Sequence, residues 1–215
     1  MLVNVPETHD VISHEDISPP LFKNKFLDSF SRVSWFVPML LYIPVIIYCL
    51  YKAFTATYLS GLQIFLYFLL GLGVWTSVEY FFHRFIFHYE AKSKLGNIFF
   101  YLIHGIHHVY PGDSKRLVLP PAMSIPLAFG FYVIFSRLLG DIHYAFFSGF
   151  ILGYVLYDTM HYAMHHFHFI KNQWFLKMKK HHMRHHFADP EAGFGVSSDV
   201  WDKVLKTNFS KKNVN

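Results

Sequence analysis

The chain has 215 residues, of which 53% are hydrophobic, 20% aromatic and 15% charged, with a formal net charge of +5. So apolar a composition excludes an ordinary soluble domain of this size. The single cysteine, Cys49, excludes an intrachain disulfide and a cysteine-based zinc site.

Residues 1–30 are mixed and partly acidic, without a basic start followed by an apolar block, and read as a cytosolic lead-in. Ser18–Pro20 marks an extended turn within them. Residues 31–207 form one membrane domain, and 208–215 a polar C-terminal tail. Four apolar stretches lie near 34–52, 61–82, 120–139 and 144–163. Each approaches the ~20 helical residues that cross a bilayer. Pro38, Pro44 and Pro126 fall inside them, which membrane helices tolerate. The short connections at 53–60 and 140–143 make the first and last pairs helical hairpins. The expected fold class is therefore all-α integral membrane, with four transmembrane helices.

Charge sets the sidedness. Seventeen of the nineteen Lys and Arg lie before the first stretch, between the second and third, or after the fourth; only Lys52 and Arg137 lie on the other side, at the stretch ends that meet the short connections. The positive-inside rule then puts both termini and residues 84–118 in the cytosol. The basic residues suit topology and anionic lipid heads, and nothing points to nucleic acid. The membrane would be the endoplasmic reticulum in a eukaryote or the inner membrane in a bacterium.

Sixteen histidines are several times the usual complement. His9, His14, His143 and His168 are isolated and read as surface or hydrogen-bonded residues. Ten others fall into spaced groups: His83 and His88 in "HRFIFH", His104, His107 and His108 in "HGIHH", His161 and His165 in "HYAMH", and His182, His185 and His186 in "HMRHH". All ten lie on the face the basic residues assign to the cytosol. Positions i, i+3 and i+4 of a helix share a face, so each HxxHH group presents three imidazoles together. His161 and His165 share a face as in helical metal-binding pairs. His83 and His88 would diverge by about 140° on a regular helix. They either serve different metals or straddle a helix end. His166 and His181 stand off the pattern as supporting or neutral residues.

Imidazole binds metal in its neutral form. Ten neutral ligands are too many for one ion. Shared between two they give about five each, with an open coordination position, whereas a closed structural zinc site uses four. Such a set, all nitrogen and at a membrane face, suits oxygen activation better than hydrolysis.

The set HxxxxH, HxxHH, HxxxH, HxxHH resembles the fatty acid hydroxylase superfamily of membrane di-metal oxygenases. Its order, with "GFGVSSDVWDKVLKT" (Gly193–Thr207), resembles the fatty acid 2-hydroxylase branch, over about Ser31 to Thr207. The resemblance implies a four-helix transmembrane base capped by a cytosolic helical layer that carries the di-metal site. It makes the ten spaced histidines the metal ligands, and implies 2-hydroxylation of the acyl chain of a fatty acid or ceramide in sphingolipid metabolism. Zinc has no redox chemistry, so iron is the expected working metal with O2, although nitrogen ligands let zinc occupy the sites in purified protein. Many relatives begin with a cytochrome b5 domain containing His-Pro-Gly-Gly. That motif is not in this sequence, so electrons are expected from a separate donor, such as cytochrome b5 with its reductase or a ferredoxin. Glu79, one turn before His83, and Asp158, three before His161, are candidate acceptors for imidazole N–H groups. Tyr162 is a candidate hydrogen-bonding neighbour. A sterol or carotenoid oxygenase of the same superfamily is the nearer rival, disfavoured by the HxxxxH spacing and the tail. A membrane metal transporter or metal-binding protein is the rival of another class. Its ligands would sit at mid-membrane depth, where this sequence has almost no histidine or charge.

Overall fold

The computed structural model describes residue 13 and residues 15–209. The regular elements among the described residues are helical. A short α1 (Lys25–Ser29) precedes α2 (Val37–Thr55) and α3 (Gly61–Phe82), which runs on into a π-helical turn, His83–Phe87. Then come α4 (Lys94–Phe100), a second π-helical turn (Tyr101–Gly105) and α5 (Ile106–Val109). The long α6 (Pro121–Leu139) and α7 (His143–His166) are joined by a 3-10 turn at Gly140–Ile142, followed by α8 (Gln173–Phe187) and α9 (Val200–Val204). His9 and His14 lie outside the described residues.

Local chemistry sets several boundaries. Ser60 and Gln63 form a reciprocal capping box at the start of α3. Pro121 occupies the first turn of α6, where a missing N–H costs nothing. Gly140, at φ +54°, ends α6 in a conformation that suits glycine. The side chains of α6 and α7 then meet in antiparallel order, Phe131 on Phe150 and Phe135 on Phe146.

Helix α7 is the centre of the molecule, with α2, α3 and α6 packed around it. Phe147, Phe150, Ile151, Tyr154 and Val155 form its buried core with Tyr42, Ile46 and Cys49 of α2. The outer faces of the surrounding helices are apolar and exposed, with Leu40 and Ile47 on α2, Leu62 and Phe65 on α3, and Phe129 and Leu138 on α6. Water would not wet such faces without penalty, but lipid would. Among the described residues, three stretches are long and apolar enough to cross a membrane: Val37–Thr55, Gly61–Phe87 and Pro121–His166. The third contains α6, the turn and α7.

Small residues let α3 and α7 approach closely. A Cβ on Gly149 would stand 1.9 Å from the Phe68 carbonyl oxygen, and one on Gly71 1.9 Å from that of Phe146. Close backbone contact of this kind replaces the hydrophobic drive that is missing between helices in lipid. It also fixes the separation of the ends of α3 and α7, which continue into His83, His88, His161 and His165.

Candidate metal centre

The two π-helical turns open the site. In the first, His88 N–H donates to the His83 carbonyl at 3.3 Å, an i→i+5 bond. That wider turn stacks residues five apart, so the 140° divergence of a regular helix does not arise. The rings of His83 and His88 have centroids 5.0 Å apart and belong to one cluster. The second π turn delivers His104 and leads into α5 with His107 and His108. The end of α7 supplies His161 and His165, and α8, capped by Asn172, supplies His182, His185 and His186.

The structure gathers these ten histidines into two groups of five. One holds His83, His88, His104, His108 and His185; the other holds His107, His161, His165, His182 and His186. Within each group one ring nitrogen per residue lies within 4.8 Å of all the others. Each HxxHH box is divided: its outer pair joins one group and its middle histidine the other. The shared-face reading of the boxes is corrected in this respect.

Neighbouring Nε2 atoms stand 3.1 Å apart for His83 and His104, 3.0 Å for His104 and His108, and 3.0 Å for His88 and His185. In the second group they stand 2.9 Å apart for His107 and His161, 3.0 Å for His165 and His182, and 3.1 Å for His182 and His186. Nitrogens bound about 2.1 Å from a shared ion at right angles stand roughly 3 Å apart. His83 donates Nδ1–H to the Phe194 carbonyl at 2.6 Å, and His185 to that of Ala192 at 2.9 Å. Their Nε2 atoms therefore carry lone pairs into the cluster. Burial, then the neighbouring imidazoles, hold His104, His107, His108, His182 and His186 neutral, well below the usual histidine range. Burial pushes His185 down to about 4. Ten imidazole nitrogens at this spacing fit two metal ions with five ligands each.

The other residues singled out from the sequence lie elsewhere. The Glu79 carboxylate does not accept from an imidazole among the described residues. Its Oε1 accepts the N–H of Val196 and Ser197, at 2.9 and 2.7 Å, and its Oε2 accepts the Ser197 hydroxyl. Asp158 is buried, with the Tyr154 hydroxyl and the Leu119 backbone as neighbours rather than an imidazole. Tyr162 stacks on Trp35 and His166, outside both clusters. His143 bonds to the Gly140 carbonyl near the opposite end of α7, and His168 is exposed. His181 pairs with Asp202 at 3.1 Å. Ala192, Phe194 and Asp202 escaped the sequence reading. The first two act through backbone carbonyls, which carry no residue-type signal. The "GFG…WD" run was the available pointer to the third.

A cavity of about 310 Å³ is lined both by His104, His107 and His161 of the clusters and by the apolar helix residues Leu127, Phe131 and Phe150. Asp158 and Arg116 also line it.

A family model for fatty acid hydroxylases matches residues 68–207, the segment that holds both clusters. The chain belongs to the fatty acid hydroxylase family. Among fatty acid hydroxylases it is 36% identical to dihydroceramide fatty acyl 2-hydroxylase FAH1 of Arabidopsis thaliana over 194 residues, covering 88% of this chain and 79% of that one. It is 38% identical to ceramide very long chain fatty acid hydroxylase SCS7 of Saccharomyces cerevisiae, covering 88% of this chain and 49% of the yeast protein. It is 34% identical to fatty acid 2-hydroxylase of Rattus norvegicus, covering 94% of this chain and 60% of the rat protein. The solved structure of full-length scs7p, in which only the hydroxylase domain is visible, matches with a TM-score of 0.86 at 35% identity, over 94% of this chain and 76% of that one.

Proposed function

We propose that this fatty acid hydroxylase inserts oxygen at carbon 2 of the acyl chain of a fatty acid or ceramide, as a membrane di-metal enzyme of sphingolipid metabolism. The observation that carries this reading is the continuity of the cavity, which joins two five-histidine clusters to an apolar interior between membrane helices. Relatives named for 2-hydroxylation support the position of attack.

His83, His88, His104, His108 and His185 would hold one metal, and His107, His161, His165, His182 and His186 the other. Iron there would supply reduction of O2, with one oxygen entering the C–H bond and the other leaving as water, on two electrons and two protons from a separate donor. Zinc would occupy the same nitrogen ligands in purified protein without that chemistry. Phe131 and Phe150 would receive the chain's methylene groups and exclude water. The Asp158 carboxylate, which lines the cavity, would accept from an O–H or N–H of the lipid head. Carbon 2 lies beside the carbonyl, at headgroup depth, and so reaches clusters placed where α3 and α7 end; a mid-chain carbon would have to fold upward.

The test is lipid mass spectrometry of a host with and without the chain, followed by iron-loaded protein with O2 and a separate reducing system. The expected product carries one added oxygen, placed on carbon 2 by fragmentation. Oxygen far along the chain, or oxidation of sterols alone, would refute the reading.

The same proposal includes four crossings, with α6 and α7 as two of them, both termini cytosolic and the histidine layer on the cytosolic side. Cysteines introduced at Thr57 and Asp141 are expected to react with an impermeant reagent outside intact cells, or in the lumen if the membrane is internal. A cysteine at Ser93 is expected to stay unlabelled there. The opposite pattern would invert the topology.

A further inference from the structure

The two clusters differ in what stands behind them. Two carbonyls that orient ligand histidines come from one loop between α8 and α9, Ala192 on His185 and Phe194 on His83. Both ligands belong to the His83 cluster, whereas in the other cluster one backbone carbonyl, that of Leu117, faces a ligand, His161. In the His107 cluster, Nδ1 of His107, His182 and His186 is buried with no hydrogen-bond partner among the described residues.

Two buried carboxylates grip that loop from opposite sides. Glu79, 3% exposed, takes the N–H groups of Val196 and Ser197. Asp202, 0% exposed, takes Phe194 N–H on Oδ1 at 2.9 Å and Gly195 N–H on Oδ2 at 2.8 Å. Asp202 is itself held by the Thr207 hydroxyl at 2.8 Å and by His181. The loop has no slack. A Cβ on Gly195 would stand 2.1 Å from the Ser198 carbonyl oxygen, and Gly193 sits at φ +74°. Four consecutive backbone N–H groups, Phe194 to Ser197, thus end on two carboxylates, while the carbonyls at 192 and 194 point back to the ligands.

Resting on the reading of these histidines as metal ligands, we propose that Glu79 and Asp202 are positioning residues that lock His83 and His185 in one tautomer and orientation, making the His83 cluster the tighter of two unequal metal sites. An imidazole whose far N–H is already committed to a carbonyl presents its lone pair without first reorienting. Partners of this kind change metal affinity by about 10–100-fold.

The test uses the purified, metal-loaded full chain in detergent. A chelator is added stepwise, retained metal is counted by elemental analysis, and histidines are labelled with diethyl pyrocarbonate and mapped by mass spectrometry. His108, one of two partly exposed members of its cluster with His88, and His165, the partly exposed member of the other, report which site has emptied. In the unsubstituted protein the first metal to leave is expected to expose His165 while His108 stays protected. Asp202→Asn sets an amide NH2 against a backbone N–H, and Glu79→Ala removes all three of its loop contacts. Each is expected to speed release from the His108 site about 10–100-fold and leave the His165 site unchanged. Glu79→Gln keeps an oxygen for Val196 and Ser197 and should behave as the parent. Asp199→Ala, which loses only exposed Lys177 and Lys203, should do the same. Equal release from both sites, or His108 first, in the unsubstituted protein overturns the proposal, whether or not the variants fold. So does parental release in folded Asp202→Asn and Glu79→Ala. A chain that binds no metal at all would instead defeat the metal-centre reading.

Discussion

Replacing His107 or His185 by alanine is expected to abolish 2-hydroxylated product, a loss beyond the ~100-fold that removal of an outer partner causes. Each is the middle histidine of its box and the one residue of that box that serves the opposite cluster. Removing it leaves four ligands in one group and also cuts a link between the two. His107 faces His161 at 2.9 Å and His185 faces His88 at 3.0 Å, so each loss opens a gap beside a remaining member of its cluster. Retained metal should fall with activity by elemental analysis. His168→Ala, at an exposed position outside both clusters, should stay near parental activity. Full activity in both ligand variants would sink the di-metal mechanism.

Gly149→Val is expected to cost about 3 kcal/mol or more of stability, an overpacking effect at the upper end of the usual range. Its Cβ would press on the Phe68 carbonyl oxygen, and backbone cannot rotate aside as a side chain can. The helices would have to separate, carrying His83 and His161 with them. A large fall in thermal midpoint in detergent, with loss of bound metal, is the expected reading. Gly130→Val is the matched control, because a Cβ there meets nothing within 4 Å. Equal stability of the two variants would show that close approach of α3 and α7 is not needed.

The apolar stretches of the sequence locate the long helices to within about three residues, because a segment that must satisfy its own backbone in lipid has little choice but helix. The histidines were legible because neutral imidazoles at i, i+3 and i+4, repeated along one membrane face, suit metal coordination far better than they suit lipid or a solvated surface. Their partition was not. Spacing of i, i+3 and i+4 says that His104, His107 and His108 lie on one side of a helix, but not that a boundary between two histidine clusters passes through that side. The pairing of His83 with His88 depended on a π-helical turn, which nothing in "HRFIF" announces. Glu79 was noticed for its place one turn before His83, yet its carboxylate reaches the cluster through a loop more than a hundred residues further on. Long-range contacts of that kind have no local signature.

The divided boxes give the molecule a hidden two-fold character. Each half of the chain has two long helices, then a histidine pair, and an HxxHH box. The half ending at His108 gives four ligands to one cluster and one to the other; the half ending at His186 does the reverse. The arrangement resembles two subunits that have exchanged one residue each across their interface, fused here into a single chain. Neither half contains a complete site, so the two clusters stand or fall as a pair. The segment after the first box sets Leu117 against His161, as the later loop sets Phe194 against His83, but only the later loop also holds a second ligand, His185, through Ala192, which gives otherwise matched sites a means of becoming different.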